Sequence, residues 1–250
     1  MFFGFDLKEL FMFPFKDEEA RKYLLIGGLI AIAAFIIPVL PYLVLIGYAA
    51  QISKQVLKGE QPHMIPWEDW GGLLKDGLRL FGIRMIYSLP ILVIALPVFL
   101  LGIGMPFIAG ITENSNAEAL ISLASIIMVP GICLIFPVSI PLIVIIPAAE
   151  MHVIEKDEFS AGFQFKEWWQ ILRANLGGFI AAFGIYWAIS MILSLGMQIL
   201  MMTVILACLL IFLMPAMTTY LTLIMYVTTA IAYRDGREKL NSPLPIEANA

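Results

Sequence analysis

The sequence predicts an all-α polytopic membrane bundle, and three observations lead to this fold class. First, 61% of the 250 residues are hydrophobic and only 14% are charged, whereas about a quarter of the residues in a soluble domain are charged. Second, residues 23–53, 85–112, 119–149 and 174–233 contain no Asp, Glu, Lys or Arg. Third, one bilayer span takes about 20 apolar helical residues, so the last stretch is long enough for two spans.

The first apolar stretch has two interpretations, because it could be one long tilted helix or a hairpin broken at Pro38 and Pro41. A hairpin places all 15 Lys and Arg residues on one side of the bilayer, and the positive-inside rule makes that side cytoplasmic. We therefore predict six membrane segments with both termini in the cytoplasm. They lie at about residues 17–37, 41–58, 78–111, 118–152, 174–196 and 198–233. The first two segments are short, so this hairpin need not cross the bilayer fully.

Short sequence matches indicate three repeat units within a single integral membrane domain at residues 1–250. An aromatic, a charged and an acidic residue precede each odd-numbered segment, as in Trp67-Glu68-Asp69. The second and sixth segments share the pattern Tyr-Leu-x-Leu-Ile-x-Tyr. Because each unit holds two segments, successive units are parallel. The units lie at about residues 3–59, 65–157 and 163–236, followed by a polar C-terminal tail at 237–250.

An amphipathic segment precedes each of the three helical pairs. Its apolar residues recur at helical spacing, and charged residues fill the other positions. Aromatic side chains at the level of the lipid head groups are typical of helices that lie in the membrane interface. The predicted interfacial anchors are Phe15, Trp67, Trp70, Phe165, Trp168 and Trp169. A partner-binding or lipid-sensing role is the alternative.

Small residues mark the faces on which we expect helices to approach one another closely. They are Gly27, Gly28, Ala31 and Ala34 in the first segment and Gly177, Gly178, Ala181, Ala182 and Gly184 in the fifth.

Ionisable residues inside a span are functional candidates, because burying a charge in hydrocarbon is costly. Alignment of the repeats places Gln51, Glu150 and Thr229 at one level near the cytoplasmic ends of the even-numbered segments. The predicted polar vestibule consists of Gln51, Glu150, Thr229, Tyr48, His152 and Tyr226. The alternative is that this level is already interfacial and that Glu150 meets water or an Arg.

Recognisable catalytic and metal-binding motifs are missing from the sequence. Acidic residues follow His152, but there is no HExxH motif and the second histidine, His63, lies in a distant loop. No GxSxG motif, P-loop or Cys-His pairing is present. We predict no metal, no cofactor and no enzymatic activity. The net charge of −4 and the lack of basic motifs also predict that nucleic acid is not a partner.

The chain carries a recognisable set of motifs: Pro14 to Asp17, Leu24 to Gly28, Gly47-Tyr48 and Pro66 to Leu78, with a similar region at Phe165 to Gly178. These motifs resemble the domain-of-unknown-function family numbered 4013, which consists of polytopic membrane proteins of archaea and some bacteria. The resemblance covers nearly the whole chain, and the Trp67-Glu68-Asp69-Trp70 stretch is its most specific part. The resemblance implies a prokaryotic cell-membrane protein and brings no established activity. Our leading hypothesis is a scaffold, assembly factor or accessory subunit in contact with membrane lipids and other membrane-protein subunits. The alternative is a carrier or channel for a small or amphipathic solute or lipid.

Overall fold

A computed structural model describes residues 4–111, 117–202 and 208–241 of the chain. These residues form α-helices and short helical turns, and no β-strand occurs among them. The α-helices are α1 (Leu7–Met12), α2 (Glu18–Ala33), α3 (Leu40–Leu57), α4 (Trp70–Phe99), α5 (Met105–Ile111), α6 (Ala117–Lys156), α7 (Phe165–Ala174), α8 (Leu176–Met201) and α9 (Leu210–Asn241). The turns are 3-10 helices at Phe13–Phe15 and Phe159–Phe163 and a π-helix at Leu100–Gly104.

Four helical stretches in the described part of the chain are long and apolar enough to cross a membrane. They are Trp70–Ile111, Glu118–Lys156, Leu176–Met201 and Leu210–Asn241. The all-α class is confirmed, and the four stretches indicate a membrane protein. Helices α2 and α3, with 16 and 18 residues, are not among the four, so six membrane segments stay a prediction.

The structure resolves two predictions about where helices end. The first apolar stretch is a hairpin, because α2 ends at Ala33 and α3 begins at Leu40. The predicted break just before Gln198 is wrong, because α8 continues to Met201. A single glycine such as Gly196 costs a helix only about 1 kcal/mol. If the helix ended within the hydrocarbon, backbone N–H and C=O groups would lack hydrogen-bond partners, which costs more free energy than the glycine does.

The amphipathic segments before the three helical pairs differ in structure. Before the first pair the segment forms α1, which Asp6 caps by accepting hydrogen bonds from the N–H groups of Lys8 and Glu9. Before the third pair it forms α7, which ends at Ala174 with Asn175 as its C-cap residue. The middle segment does not form a helix of its own, because α4 runs without interruption from Trp70 to Phe99.

The chain divides into two compact units, and the larger one comprises residues 1–83 and 147–250. Helix α9 is the centre of this unit and packs against α2, α3, α7 and α8. Fully buried side chains include Ile46, Tyr48 and Ile52 of α3 together with Tyr226 and Tyr233 of α9. The core therefore lies along the C-terminal parts of α3 and α9.

Two glycines allow α3 and α4 to cross at backbone contact. A Cβ atom added at Gly47 would overlap the carbonyl oxygen of Leu73, and one added at Gly77 would overlap the carbonyl oxygen of Leu43. At each of these two glycines, one helix is in direct contact with the main chain of the other. Such an approach needs glycine on both helices. It also explains the single α4 helix, because residues 73–77 are packed against α3 and do not lie apart from the bundle.

The smaller unit comprises residues 84–146 and holds the second part of α4, the π-helical turn, α5 and most of α6. Pro90 and Pro97 lie inside α4. Each proline removes one helical hydrogen bond, and the π-helical turn at Leu100–Gly104 follows the second. Small residues again permit contact, since a Cβ atom at Gly102 would overlap Met128 and one at Gly131 would overlap Val98.

Candidate functional site

A buried stack of two aromatic rings anchors the segment between α3 and α4. The rings of Tyr48 and Trp67 are stacked at a centroid distance of 3.8 Å. The Tyr48 hydroxyl donates to the carbonyl oxygen of Ile65 at 2.8 Å and accepts from its N–H at 3.1 Å. Trp67 Nε1 donates to the carbonyl oxygen of Tyr23 at 3.0 Å. The predicted vestibule residue Tyr48 and the predicted anchor Trp67 therefore hold each other inside the protein.

His152, near the end of α6, lies between α7 and α9. Its Nδ1 is 2.6 Å from the hydroxyl of Tyr233, and its Nε2 is 3.2 Å from Oε1 of Gln164 and 3.4 Å from Oε2 of Glu167. The Tyr233 hydroxyl donates its proton to Glu155 Oε2 at 2.8 Å, so its oxygen must accept from His152. His152 therefore links α6 to α9 through Tyr233 and to Gln164 and Glu167 through its other ring nitrogen.

Arg237 of α9 connects the polar residues around His152 to the end of α3. Its guanidinium forms an ion pair with Glu155 and donates to the carbonyl oxygen of Leu57 at 3.0 Å. The carbonyl groups at the C-terminal end of a helix have no partner within that helix. Arg237 therefore both neutralises Glu155 and caps α3.

A second ionic group joins α3, α4 and the segment after α6. Lys54 Nζ lies 3.1 Å from carboxylate oxygens of both Asp76 and Asp157, and Arg79 lies 3.0 Å from Asp157. The hydrogen bond from Lys54 lowers the pKa of Asp157, and the charge of Arg79 adds to this effect. We call the two groups together the charged junction: Lys54, Asp76, Arg79, His152, Glu155, Asp157, Glu167, Tyr233 and Arg237.

We expect Asp157→Asn to destabilise the folded protein slightly at neutral pH. Because the folded-state pKa lies below the ordinary carboxyl value, this contribution is present above about pH 4 and is lost as the pH falls through the lowered pKa. The Asp157 side chain is 63% exposed, so the loss should stay below about 1 kcal/mol. Thermal unfolding of both proteins between pH 3 and pH 7 measures it. Glu158→Gln, which removes the next carboxylate, is the control, and an equal effect of both substitutions would contradict the assignment.

The structure places the six predicted vestibule residues in packed surroundings. Tyr48, Glu150, His152, Tyr226 and Thr229 are between 0% and 5% exposed, and Gln51 is half-buried. The Thr229 hydroxyl donates to the carbonyl oxygen of Met225 at 2.7 Å, within its own helix. These five side chains therefore present almost no surface to solvent. Five of the six residues are in the core, and Gln51 is half-buried.

Sequence reasoning missed most of the charged junction. The repeat pattern singles out only His152 from this junction and makes no prediction for Lys54, Asp76, Arg79 or Arg237. A signal was available, because helix ends that share one membrane face bring their charged residues to one level. Which carboxylate meets which cation depends on how the helices pack, and the repeat pattern did not contain that information.

The six predicted interfacial anchors divide into two groups. Trp67 and Trp168 are buried, and Trp168 Nε1 donates to the carbonyl oxygen of Gly162 at 3.1 Å. The remaining four, Phe15, Trp70, Phe165 and Trp169, are exposed. These exposed rings are available to the membrane interface, whereas the two buried rings are packing residues of the protein.

An apolar cavity of about 650 Å³ lies beside α8 in the larger unit. Its walls are Leu7 and Phe11 of α1 and the α8 face that carries Gly177, Ala181 and Gly184. We expected these small residues to pack against a helix, and the structure contradicts this for Gly177 and Gly184, which have no atom near an added Cβ. The expectation is confirmed for α2, where Gly27 and Gly28 contact Thr219 and Ala216 of α9. Helix α9 covers the small-residue face of α2, and the corresponding face of α8 is left open.

Within residues 4–111, 117–202 and 208–241, no group of three or more His, Cys, Asp or Glu side chains could hold a metal ion. The His152 surroundings are instead completed by the protein's own hydrogen bonds and ion pairs.

Comparison with known proteins places the chain in a family. No curated protein and no solved structure matches it. One family model, described as Protein of unknown function (DUF4013), matches residues 30–202. This range contains the α3–α4 crossing, all of α6 and α7, and the part of the charged junction formed by Lys54, Asp76, Arg79 and Asp157. Because the match covers more than half of the sequence and agrees with the resemblance found in its motifs, the chain belongs to the DUF4013 family of proteins of unknown function.

Proposed function

We propose that the chain is a non-enzymatic integral membrane protein that acts as a scaffold, assembly factor or accessory subunit of a membrane complex. We place it in the cell membrane of a prokaryote, with three parallel pairs of membrane segments and both termini in the cytoplasm. Its partners are membrane lipids and other membrane-protein subunits. The observation that carries the proposal is the packed polar level, because a site for solute or substrate needs space and five of these six residues have none.

The exposed apolar surface of two long helices supports the same proposal. In each of Trp70–Ile111 and Glu118–Lys156, only 6% of the most apolar window is buried within the protein. Side chains such as Val93 and Ile126 are left open on these helices. Helices of partner proteins can pack on such surfaces within the bilayer, where close fit is the main source of affinity.

Site-specific photo-crosslinking tests the scaffold proposal. A photoreactive amino acid is placed at Val93, at Ile126 and, as the control, at Leu25 of α2, which is similarly exposed. Irradiation of cells that make the full chain should produce a discrete protein adduct from Val93 or Ile126 and none from Leu25. Adducts with lipid alone at all three positions would contradict the proposal.

A carrier of lipid or amphipathic solute is the second candidate, and the apolar cavity beside α8 favours it. A cavity of about 650 Å³ lined by Ile180, Ile185 and small residues has the size and character of ligand pockets. Liposomes containing the purified protein and a fluorescent phospholipid test this candidate by the rate at which the lipid changes leaflet. If the cavity carries lipid, Gly184→Phe should abolish the movement, while Leu25→Phe should leave it unchanged.

A further inference from the structure

The turn that joins α2 to α3 is entirely apolar and highly exposed. Residues 30–41 contain only Ala, Ile, Phe, Leu, Val and Pro, and the side chains of Phe35 and Ile36 are 72% and 86% exposed. Turns that meet water are usually rich in polar residues, Gly and Pro. The sequence that joins α5 to α6, Thr-Glu-Asn-Ser-Asn-Ala-Glu at residues 112–118, has the ordinary polar composition. The composition of the α5–α6 connection therefore suits water, whereas that of the α2–α3 turn suits an apolar environment.

The lengths of the two helices place this turn within hydrocarbon. Glu18, Glu19, Arg21 and Lys22 occupy the first turns of α2 and are exposed. From Lys22 to Ala33 an α-helix rises about 16 Å, and from Leu40 to Lys54 about 21 Å. The hydrocarbon core of a bilayer is about 30 Å thick. A hairpin with its charged ends at one face thus stops short of the opposite face.

Packing against α9 gives an independent measure of the same depth. Gly28 of α2 contacts Ala216 of α9, and the tip residues Ala34 and Phe35 line an apolar cavity of about 250 Å³ with Met214 and Pro215. Helix α9 continues beyond this level to Leu210, which adds about 6 Å. The hairpin tip therefore lies about one helical turn short of the N-terminal end of α9.

The backbone of the turn is suited to surroundings without water. Non-helical backbone is costly in hydrocarbon when its polar groups lack partners. The N–H groups of Ala34, Phe35, Ile36 and Ile37 all donate to carbonyl oxygens of residues 31–33. Pro38 and Pro41 have no N–H group to satisfy. The local hydrogen bonds and the prolines together remove much of the penalty of burying this turn in lipid.

We propose that the α2–α3 hairpin is a re-entrant membrane element, with its tip at Phe35–Ile37 embedded in the acyl chains of the far leaflet. The hairpin enters and leaves at the cytoplasmic face, so both termini stay on that side while the chain crosses the bilayer four times. Lipid acyl chains are the partner of the exposed tip. The 250 Å³ cavity between the tip and α9 is apolar and open to the same environment.

Cysteine labelling of the full chain in sealed vesicles of known orientation tests the proposal. The natural cysteines Cys133 and Cys208 are first replaced by serine. Single cysteines are then introduced by Ile36→Cys at the tip, Glu118→Cys as the far-side control and Glu60→Cys as the cytoplasmic control. A membrane-impermeant maleimide should label each control from one side only. Thiols react as thiolates, which apolar surroundings disfavour, so labelling of Ile36→Cys should be at least about tenfold slower from either side.

Two outcomes would overturn the proposal. Labelling of Ile36→Cys from the far side at the rate of Glu118→Cys would show that the tip reaches water. Efficient disulfide formation between two copies of Ile36→Cys under a mild oxidant would show that a second copy, and not lipid, covers the tip. Labelling of each variant after denaturation in detergent confirms that the thiol is present. A nitroxide at position 36 that is accessible to oxygen but not to a water-soluble nickel chelate would support the acyl-chain location directly.

Discussion

Gly77→Ala should lower the unfolding temperature of the purified protein by roughly 10 °C or prevent its accumulation in the folded state. The added methyl group would overlap the carbonyl oxygen of Leu43, and main chain cannot move aside by changing a rotamer. Overpacking typically costs about 1–3 kcal/mol and occasionally more, and 1 kcal/mol corresponds to about 2–4 °C for a chain of this size. Unfolding followed by circular dichroism in detergent micelles measures the effect.

Gly184→Ala is the matched control for this substitution. Gly184 also lies inside a long apolar helix, but an added Cβ would meet no atom within 4 Å. Alanine is a better helix former than glycine by about 1 kcal/mol, so this variant should be as stable as the parent or slightly more stable. Equal melting temperatures for Gly77→Ala and Gly184→Ala would mean that α3 and α4 do not cross at backbone contact.

Trp168→Ala should cost about 3–5 kcal/mol, which is typical of the loss of a large buried aromatic side chain. Trp168 is 0% exposed, its Nε1 donates to Gly162, and its ring lies against Phe165. Removing it leaves a cavity under α7 and takes away the hydrogen bond to the carbonyl oxygen of Gly162. Trp168→Phe keeps most of the packing but loses the hydrogen bond, so its unfolding temperature should fall between those of the parent and Trp168→Ala.

The neighbouring Trp169→Ala separates burial in the protein from contact with lipid. Trp169 is 44% exposed, so its loss should cost less than about 1 kcal/mol in detergent. If it anchors α7 in the interface, quenching of the remaining tryptophans by head-group-labelled lipid should change in liposomes. An equal loss of stability from both alanine substitutions would contradict the different placement of the two rings.

The composition and the distribution of charged residues are sufficient to predict a membrane protein and the break between α2 and α3. Pro38 and Pro41 interrupt the first apolar stretch, and placing every Lys and Arg on one side requires the chain to turn there. The positions of the prolines and of the charged residues can be read directly from the sequence. Predictions based on them therefore do not require knowledge of how the helices pack. The end of α8 lies within the stretch 174–233, where no charged residue marks a boundary, and apolar surroundings favour a continuous helix.

The partners of individual residues could not be predicted in the same way. Gly27 and Gly177 occupy corresponding positions in the repeat pattern, yet α9 covers the first, whereas a Cβ added at the second would meet no atom of the described residues within 4 Å. Trp168 and Trp169 are adjacent in sequence, and one is buried while the other is exposed. Helical spacing distinguishes faces, but it does not say which face meets protein and which meets lipid when both are apolar.

The bond between Arg237 and the carbonyl oxygen of Leu57 joins residues 180 positions apart in sequence, and this separation has a consequence for biogenesis. The ribosome delivers the first hairpin to the membrane long before it makes α9, the helix that covers the small-residue face of α2. Long-range docking of this kind waits for the last-made segment. A nascent chain truncated before Tyr233 would lack the contacts of Arg237 with Leu57 and Glu155. The larger unit can therefore mature only after translation has passed its final helix.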